Sequence, residues 1–244
     1  METISILGSG WLGSPLANEL SQTYKIHLST RIEEKKENLK SSNINTFLVD
    51  IDNLAKDINE FLQSDILIIN IPSKNIDGFN KFLHYIKLSN IKRIIFISST
   101  SVCSNDTSPL KTIEELFENI NVKTTILRFG GLFGYGRNPA NFFKNGRTVK
   151  NPNAPVNMLH RDDCISIIKE IIKQDIVDEV FNCCSPSHPT KKEFYTYCAV
   201  SSDLEIPIFD TVDDFSMHKI INSDKLISSL NYRFVHENLM KSFT

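Results

Sequence analysis

The chain has 244 residues, of which 41% are hydrophobic and 23% are charged, and its formal net charge at pH 7 is −2. This length suits one folded domain with a sizeable core, and the nearly balanced charge argues against nucleic acid or an anionic membrane surface as a partner. The five cysteines show no CxxC spacing, which favours reduced thiols in a cytoplasmic protein over a disulfide or zinc framework. We see no signal-peptide pattern and no apolar run of ~20 residues, so we expect neither secretion nor a membrane span.

Short apolar strands alternate with amphipathic helices from Thr3 to Arg128. The strands are predicted at Thr3–Leu7, Tyr24–Ser29, Thr46–Val49, Asp65–Ile71, Arg93–Ile97 and Lys123–Leu127. The helices are predicted at Trp11–Leu20, Ile32–Lys40, Leu54–Leu62, Phe79–Leu88 and Ile113–Ile120. This alternation predicts an α/β fold with a doubly wound parallel sheet of the Rossmann type.

The character of the chain changes after Arg128. Residues Gly130–Asn157 are rich in Gly, Asn and Pro and are predicted to be loop, followed by a helix at Asp162–Ile172, a strand at Glu179–Asn182 and a helix at Thr190–Ala199. We expect a single domain of residues 1–244, with its core formed by residues about 1–130 and 155–185. Residues about 130–155 and 185–244 would form a small cap at the edge of the sheet where ligands bind.

A glycine motif lies between the first predicted strand and the first predicted helix. Gly8, Gly10 and Gly13 follow the Gly-x-Gly-x-x-Gly pattern, with Trp11 and Leu12 between the last two. In a strand–turn–helix unit the first glycine permits the tight turn, the second lets a pyrophosphate approach the backbone, and the third lets helix and strand pack closely. The motif predicts a site for NAD or NADP, and a glycine turn without a ligand is the alternative.

The end of the second predicted strand bears on the choice between the two cofactors. NAD-binding sites commonly place a carboxylate here for the ribose 2′-hydroxyl. This chain has Thr30 and Arg31 instead, and no carboxylate before Glu33. A cation beside hydroxyls suits a 2′-phosphate, so the sequence favours NADP; a solvated Arg31 is the alternative.

The ends of the third and fourth predicted strands supply the other candidate cofactor contacts. Asp50 and Ile51 follow the third strand, where a carboxylate can face the adenine amino group and an apolar side chain can face the ring. Asp50 as the N-cap of the next helix is equally open. Ile71 and Pro72 close the fourth strand and would pass beside the inner ribose.

Five stretches of sequence together point to a known family. They are the glycine loop Ile6–Gly13, the strand end Phe96–Val102 (like SSxxVYG), Leu127–Gly134 with Gly136–Arg137 (like LRxxxxYGPG), His160–Asp163 (like HxxD) and Val180–Asn182 (like xYN). On these residues the chain resembles the extended short-chain dehydrogenases/reductases, in the NAD-dependent epimerase/dehydratase branch. The resemblance implies NAD(P) binding with Ser98 at the cofactor, and Ser99 or Thr100 binding the oxygen that reacts. It also implies a small polar substrate such as a nucleotide sugar.

The resemblance breaks at the catalytic pair of the family. Its members use Tyr-x-x-x-Lys, in which the tyrosine transfers a proton and the lysine lowers the tyrosine's pKa. None of the six tyrosines here has a lysine four residues later, and no tyrosine lies between Ile86 and Gly134, where the pair belongs. Cys103 replaces the tyrosine of VYG. The resemblance therefore implies an atypical member that lacks the usual pair.

Several residues are candidates for the missing acid, each with a structural alternative. Cys103 is either an acid or a small turn residue, and Tyr135 either swings inward or packs on the cap. His160 and Asp163 form either a proton relay or a structural brace, and Arg137 and Arg147 either grip an anionic substrate or lie in a solvated loop. Two functions stay open: an oxidoreductase or epimerase, and a catalytically inactive NAD(P)-binding sensor, regulator or scaffold. We expect a monomer or a homodimer, and no metal.

Overall fold

The computed structural model describes residues 1–54, 57–104, 107–144 and 146–242, without the side chains of Ser104 and Met217. The chain divides into two compact units. The first comprises Met1–Arg128 and Ile168–Phe181, and the second comprises the described residues of Phe129–Ile167 and Asn182–Thr244. The predicted single domain with a cap stays a prediction.

A seven-stranded parallel sheet organises the fold, as predicted. Its strands are β1 (Thr3–Leu7), β2 (Lys25–Thr30), β3 (Ile44–Leu48), β4 (Ile66–Ile69), β5 (Arg93–Ser99), β6 (Lys123–Phe129) and β9 (Val180–Cys183), in the order β3-β2-β1-β4-β5-β6-β9. β1 pairs in parallel with both β2 and β4, so the strand order reverses beside β1. The carboxyl end of a sheet at such a reversal is where α/β folds bind ligands.

The helices connect these strands. They are α1 (Gly13–Leu20), α2 (Glu33–Leu39), α3 (Ile58–Phe61), α4 (Ile76–Lys87), α5 (Pro109–Glu118), α6 (Arg161–Lys173), α7 (Lys191–Val200) and α8 (Asp224–Leu230). Among the described residues, no helix combines the length and apolar character needed to cross a membrane.

Apolar residues at helical spacing explain how the helices pack. In α4 the side chain of Asn75 caps the first turn by accepting a hydrogen bond from the Gly78 N–H. Phe79 of this helix is fully buried, and its ring meets the edges of Phe96 on β5 and Phe117 on α5. Phe96 and Phe117 stack with their centroids 4.7 Å apart, so an aromatic cluster fixes both helices against the sheet.

The largest differences from the sequence prediction lie in two segments, and other element ends shift by up to four residues, as at α5, which begins at Pro109 rather than Ile113. The helix predicted at Leu54–Leu62 is confined to Ile58–Phe61, with residues 55 and 56 outside the described part. The segment predicted as loop contains β7 (Gly131–Phe133), which pairs in parallel with β8 (Met158–His160), and a 3₁₀ helix at Pro139–Phe143. Short strands escape a periodicity argument because three residues show no alternation, and their partner lies far along the chain.

Candidate functional site

The glycine loop between β1 and α1 is a tight turn that tolerates no side chain at two positions. Gly8 has φ of 109°, and its N–H donates to Ser29 Oγ at 2.8 Å. A Cβ at Gly8 would lie 2.5 Å from the Asn70 carbonyl oxygen, and one at Gly13 would lie 1.8 Å from the Gly8 carbonyl oxygen. Both glycines are therefore required by close backbone packing, as the motif predicts.

Gly10 is different, because nothing within the described residues fills the space beside it. A Cβ there would meet no atom within 4 Å. The following helix, α1, begins at Gly13, and the Leu12 N-cap provides no capping side chain. An open glycine beside an uncapped helix N-terminus is the local arrangement that accepts a phosphate.

A cleft of about 380 Å³ lies along the carboxyl ends of β1, β2, β3 and β4. Its lining residues are Leu7, Gly8, Ser9, Gly10, Ser29, Thr30, Arg31, Ile32, Lys35, Val49, Asp50, Ile51, Asp52, Asn70, Ile71, Pro72 and Ser73. Two cations, Arg31 and Lys35, lie on the same cleft as two carboxylates, Asp50 and Asp52. The cleft therefore offers an apolar strand floor, a backbone turn and charged groups of both signs.

Most of the predicted cofactor residues meet in this cleft. Those that line it are Gly8, Gly10, Thr30, Arg31, Asp50, Ile51, Ile71 and Pro72, whereas Trp11, Leu12, Gly13 and Ser98 do not. Leu12 and Ile51 are buried in the core. The predicted binding role of these residues stays a prediction.

The polar groups at the strand ends are held by local hydrogen bonds. Thr30 Oγ1 accepts from the Ile32 N–H at 3.2 Å, and Asp50 Oδ1 accepts from the Asp52 N–H at 3.1 Å. Asp50 is not the N-cap of the next helix, because Asp57 occupies that position before α3. The Asp50 carboxylate therefore stabilises its own turn and keeps a place on the cleft.

Sequence reasoning did not select Lys35, which lies within the helix predicted at Ile32–Lys40. Lys35 follows Arg31 by four residues, and α2 begins at Glu33, so both cations reach one side of the cleft. A spacing of four residues at the start of a helix was the available signal. Asp52 and Ser73 were also missed, because each lies one residue beyond the residues chosen at the end of its strand.

A buried ion pair occupies the ends of β5 and β6. Glu114 of α5 is 1% exposed, and its two carboxylate oxygens accept from Arg128 on β6, with Nη2 to Oε2 at 2.5 Å and Nε to Oε2 at 3.0 Å. The Ser98 hydroxyl also donates to Glu114. The hydrogen bonds that Arg128 donates to the Glu114 carboxylate raise the pKa of Arg128 above its usual value. Ser98 therefore belongs to a buried hydrogen-bond network with Glu114 and Arg128.

The other candidate catalytic residues of the first unit lie at the end of β5 and in the 3₁₀ helix that follows it. Ser99 ends β5, half-buried, and its Oγ accepts from the Ser101 N–H at 3.2 Å. Cys103 is a half-buried cysteine in the short 3₁₀ helix that follows, Thr100–Ser104. Thr100 is buried. The assignment of Ser99 to the reacting oxygen stays a prediction.

Tyr135 lies in a tight turn of the second unit. Gly134 and Arg137 exchange backbone hydrogen bonds, and Tyr135 and Gly136 between them have φ of 45° and 81°. The phenol, 59% exposed, donates to Asp162 Oδ2 at 3.0 Å. This hydrogen bond raises the pKa of Tyr135, which is the opposite of what a proton-donating catalytic tyrosine needs.

The hypothesis of a relay between His160 and Asp163 is not supported by their contacts. Asp163 is buried and accepts from the Tyr232 hydroxyl and from the N–H groups of Val235 and His236 at 2.7–3.0 Å. It therefore braces the C-terminal segment. The carboxylate beside His160 is Asp162, and burial together with the charge of His236 lowers the pKa of His160 to about 4.

Comparison with known proteins identifies the fold. No family model matches the chain. Protein YeeZ of Escherichia coli K12 is 28% identical over 264 residues, covering 96% of each chain. Two solved structures align over nearly the whole chain and 96% of their own length: the enzyme WbmH of Bordetella bronchiseptica in complex with NAD+ (TM-score 0.79, 14% identity) and a UDP-glucuronic acid 4-epimerase of Bacillus cereus with NAD (TM-score 0.77, 16% identity). The chain therefore has the Rossmann-type α/β fold that these enzymes share.

Proposed function

We propose that this protein binds a nicotinamide dinucleotide in the cleft at the ends of β1–β4. The observation that carries the proposal is the open space beside Gly10, in front of the uncapped N-terminus of α1. Gly8 and Gly13 close the same turn so tightly that the opening is specific to the middle glycine. The residues fit the cofactor: the turn for the pyrophosphate, Asp50 and Ile51 for the adenine, and Ile71 and Pro72 for the inner ribose.

NADP is the favoured cofactor in this proposal. Arg31 and Lys35 line the cleft where β2 ends, next to the hydroxyls of Ser29 and Thr30. A 2′-phosphate carries negative charge and acceptor oxygens, which two cations bind well, whereas a 2′-hydroxyl needs an acceptor. The two carboxylates of the cleft, Asp50 and Asp52, follow β3, so the charged side chains that follow β2 on the cleft are the cations.

The reaction we propose is oxidation–reduction or epimerisation of a small polar substrate such as a nucleotide sugar. The fold shared with WbmH and a UDP-glucuronic acid epimerase supports this class. A bound nicotinamide would supply hydride transfer. The chain's own contribution would be Ser99, whose hydroxyl at the end of β5 would orient the reacting oxygen, in a cytoplasmic protein acting as a monomer or homodimer.

A second candidate is an inactive NAD(P)-binding sensor, regulator or scaffold. The specific observation that favours it is the network of Ser98, Glu114 and Arg128. The carboxylate and the guanidinium in that network neutralise each other. The segment between Ile86 and Gly134, which carries the catalytic tyrosine in the resembled family, contains no tyrosine here.

Titration with NADPH and NADH, followed by nicotinamide fluorescence, tests the cofactor proposal. We expect tighter binding of NADPH, and an Arg31→Ala/Lys35→Ala double variant should weaken NADPH by at least about tenfold, since a hydrogen bond to a charged group contributes about 1.5–3 kcal/mol. NADH affinity should change little. Lys36→Ala is the matched control, because Lys36 is the next residue in α2 and does not line the cleft. Equal losses for both cofactors would contradict the NADP assignment.

Two readouts, recorded over hours with NADP+ or NADPH and UDP-sugars, separate the two candidates. Absorbance at the nicotinamide band detects net oxidation–reduction, and chromatography of the sugar detects epimerisation, which returns the cofactor to its starting state. Turnover that is lost in Ser99→Ala, while NADPH binding persists, would support the enzyme. Tight binding without turnover, unchanged in Cys103→Ala and Tyr135→Phe, would support the inactive protein. Failure to bind either dinucleotide would contradict both.

A further inference from the structure

Two histidines and one aspartate converge in the second unit, among residues that do not line the dinucleotide cleft. They are His160 at the end of β8, Asp162 in the first turn of α6, and His236 in the C-terminal segment. Each offers one nitrogen or carboxylate oxygen, and the three atoms lie within 4.8 Å of one another. His236, which lies 74 positions after Asp162 in the sequence, thus joins His160 in bringing an imidazole nitrogen to one carboxylate.

The separations match those of a metal coordination shell. His160 Nδ1 lies 3.3 Å from Asp162 Oδ2, and His236 Nε2 lies 3.1 Å from the same oxygen. Zinc bonds to imidazole nitrogen and carboxylate oxygen are about 2.0–2.1 Å, so tetrahedral ligands are about 3.3 Å apart. Two of the three separations between the candidate ligand atoms, those from Asp162 Oδ2 to His160 Nδ1 and to His236 Nε2, already have about this length. The imidazoles approach closely, with centroids 3.6 Å apart and planes inclined by 38°.

The backbone around His236 and the pocket around His160 hold both rings in place. The His236 N–H donates to Asp163 at 3.0 Å, and its carbonyl accepts from Ser185 Oγ at 3.1 Å. The His160 ring packs against the edge of Phe133, and a Cβ at Gly134 would lie 2.2 Å from its Nε2. A site that is fixed before the ion arrives loses less conformational entropy when the ion binds.

The surroundings of Asp162 complete the shell. The Tyr135 hydroxyl donates to Asp162 Oδ2 at 3.0 Å, which orients the carboxylate as hydrogen bonds to metal ligands do. The side chains of Asp162 and His236 are 33% and 22% exposed, so water can reach a fourth position. Arg161 stacks on the Tyr135 ring at 4.0 Å, and its positive charge opposes the ion.

We propose that His160, Asp162 and His236 bind a divalent transition-metal ion, with Zn²⁺ the best match. Imidazole and carboxylate ligands suit zinc, and an open fourth position is filled by water. The ion would replace the hydrogen bond that His160 Nδ1 accepts from the Asp162 N–H at 3.2 Å. It would connect the turn at Gly134–Arg137, through Tyr135 and Asp162, to the C-terminal segment. This proposal does not depend on the proposed dinucleotide function.

Metal titration of the untagged full-length protein tests the site. After treatment with EDTA and its removal, Zn²⁺ is followed by calorimetry and Co²⁺ by its visible absorption. We expect one equivalent to bind, and Zn²⁺ to raise the melting temperature because only the folded chain has the site. His236→Ala should weaken binding by at least about tenfold, and Tyr135→Phe by less, as for loss of an outer-shell partner.

His218→Ala is the matched control. His218 also faces an aspartate, Asp213 at 3.2 Å, yet belongs to no three-ligand group among the described residues. The His218→Ala variant should bind the metal with the same affinity as the parent protein. If His236→Ala does not fold, Asp162→Asn, which has nearly the same size, carries the same test. No saturable binding, binding that persists in His236→Ala or Asp162→Asn, or equal loss in His218→Ala would overturn the proposal.

Discussion

The carboxyl ends of β1–β4 and those of β5–β6 differ in what they do with their polar groups. At β1–β4, the cleft keeps Arg31, Lys35 and Asp50 on its lining and leaves open space beside Gly10. At β5–β6, Ser98, Glu114 and Arg128 bind one another, and the carboxylate is almost wholly buried. At the same carboxyl edge of the sheet, the β1–β4 side therefore leaves its polar groups on an open cleft, while the β5–β6 side pairs its strongest polar groups with one another.

This difference teaches how binding and chemistry can separate within one fold. A glycine turn at a helix N-terminus binds phosphate through backbone groups. A proton transfer instead depends on one tuned side chain, which is worth ~10²–10⁴ in rate. A protein can therefore lack the proton-transferring side chain and still have the glycine turn that binds phosphate. We therefore expect dinucleotide binding to be the more robust property of this protein.

Breaking the ion pair at β5–β6 should have the largest effect. Glu114→Ala leaves the Arg128 guanidinium without its carboxylate, and removing one partner of a buried pair costs about 3–5 kcal/mol of unfolding free energy. Urea denaturation measures this loss. Glu115→Ala, one residue along α5 and exposed, is the control and should change little. A loss below about 1 kcal/mol, as for surface pairs, would show that the network is not structural.

Changing the glycine turn should have the next largest effect, and the effect should depend on position. Gly13→Ala places a Cβ 1.8 Å from the Gly8 carbonyl oxygen, so the backbone must move, at a cost of about 1–3 kcal/mol or more. Gly10→Ala meets no atom and should not lower stability. Thermal unfolding of the two variants makes the comparison. Equal destabilisation by both would contradict the geometry of the turn.

The smallest effect is expected at Asp50. Asp50→Ala removes a carboxylate that would accept from the adenine amino group, and one hydrogen bond is worth about 0.5–1.5 kcal/mol, so NADPH affinity should fall by about three- to tenfold. Asp50→Asn keeps an acceptor oxygen and should bind nearly as the parent does. Fluorescence titration distinguishes them. An unchanged affinity in Asp50→Ala would remove Asp50 from the proposed adenine site.

Much of the fold could be predicted from the sequence, because buried parallel strands are continuous apolar runs with clear ends. β1 agrees with its prediction at both ends, and β5 and β6 begin where predicted. The cleft followed from the same logic, since residues after parallel strands gather at one edge of the sheet. Lys35 was missed because only residues at the strand ends were considered as cofactor contacts, and its spacing from Arg31 was not.

The second unit could be predicted much less well. β7 is three residues long, and its pairing with β8 depends on residues more than 20 positions away. The contacts of His160 depend on His236, which no local pattern connects to it. Nor did the sequence distinguish Asp162 from Asp163: adjacent carboxylates in a first helical turn point in different directions, and one faces the histidines while the other faces backbone N–H groups.

The most direct test of the account is calorimetric titration of NADPH into the parent protein and into Gly10→Ala, with the melting temperature of each. The parent should bind one equivalent. Gly10→Ala should melt at the same temperature and bind at least about tenfold more weakly, because its Cβ occupies the space left for the pyrophosphate. No binding by the parent, or equal affinity in the variant, would contradict the assignment of the cleft.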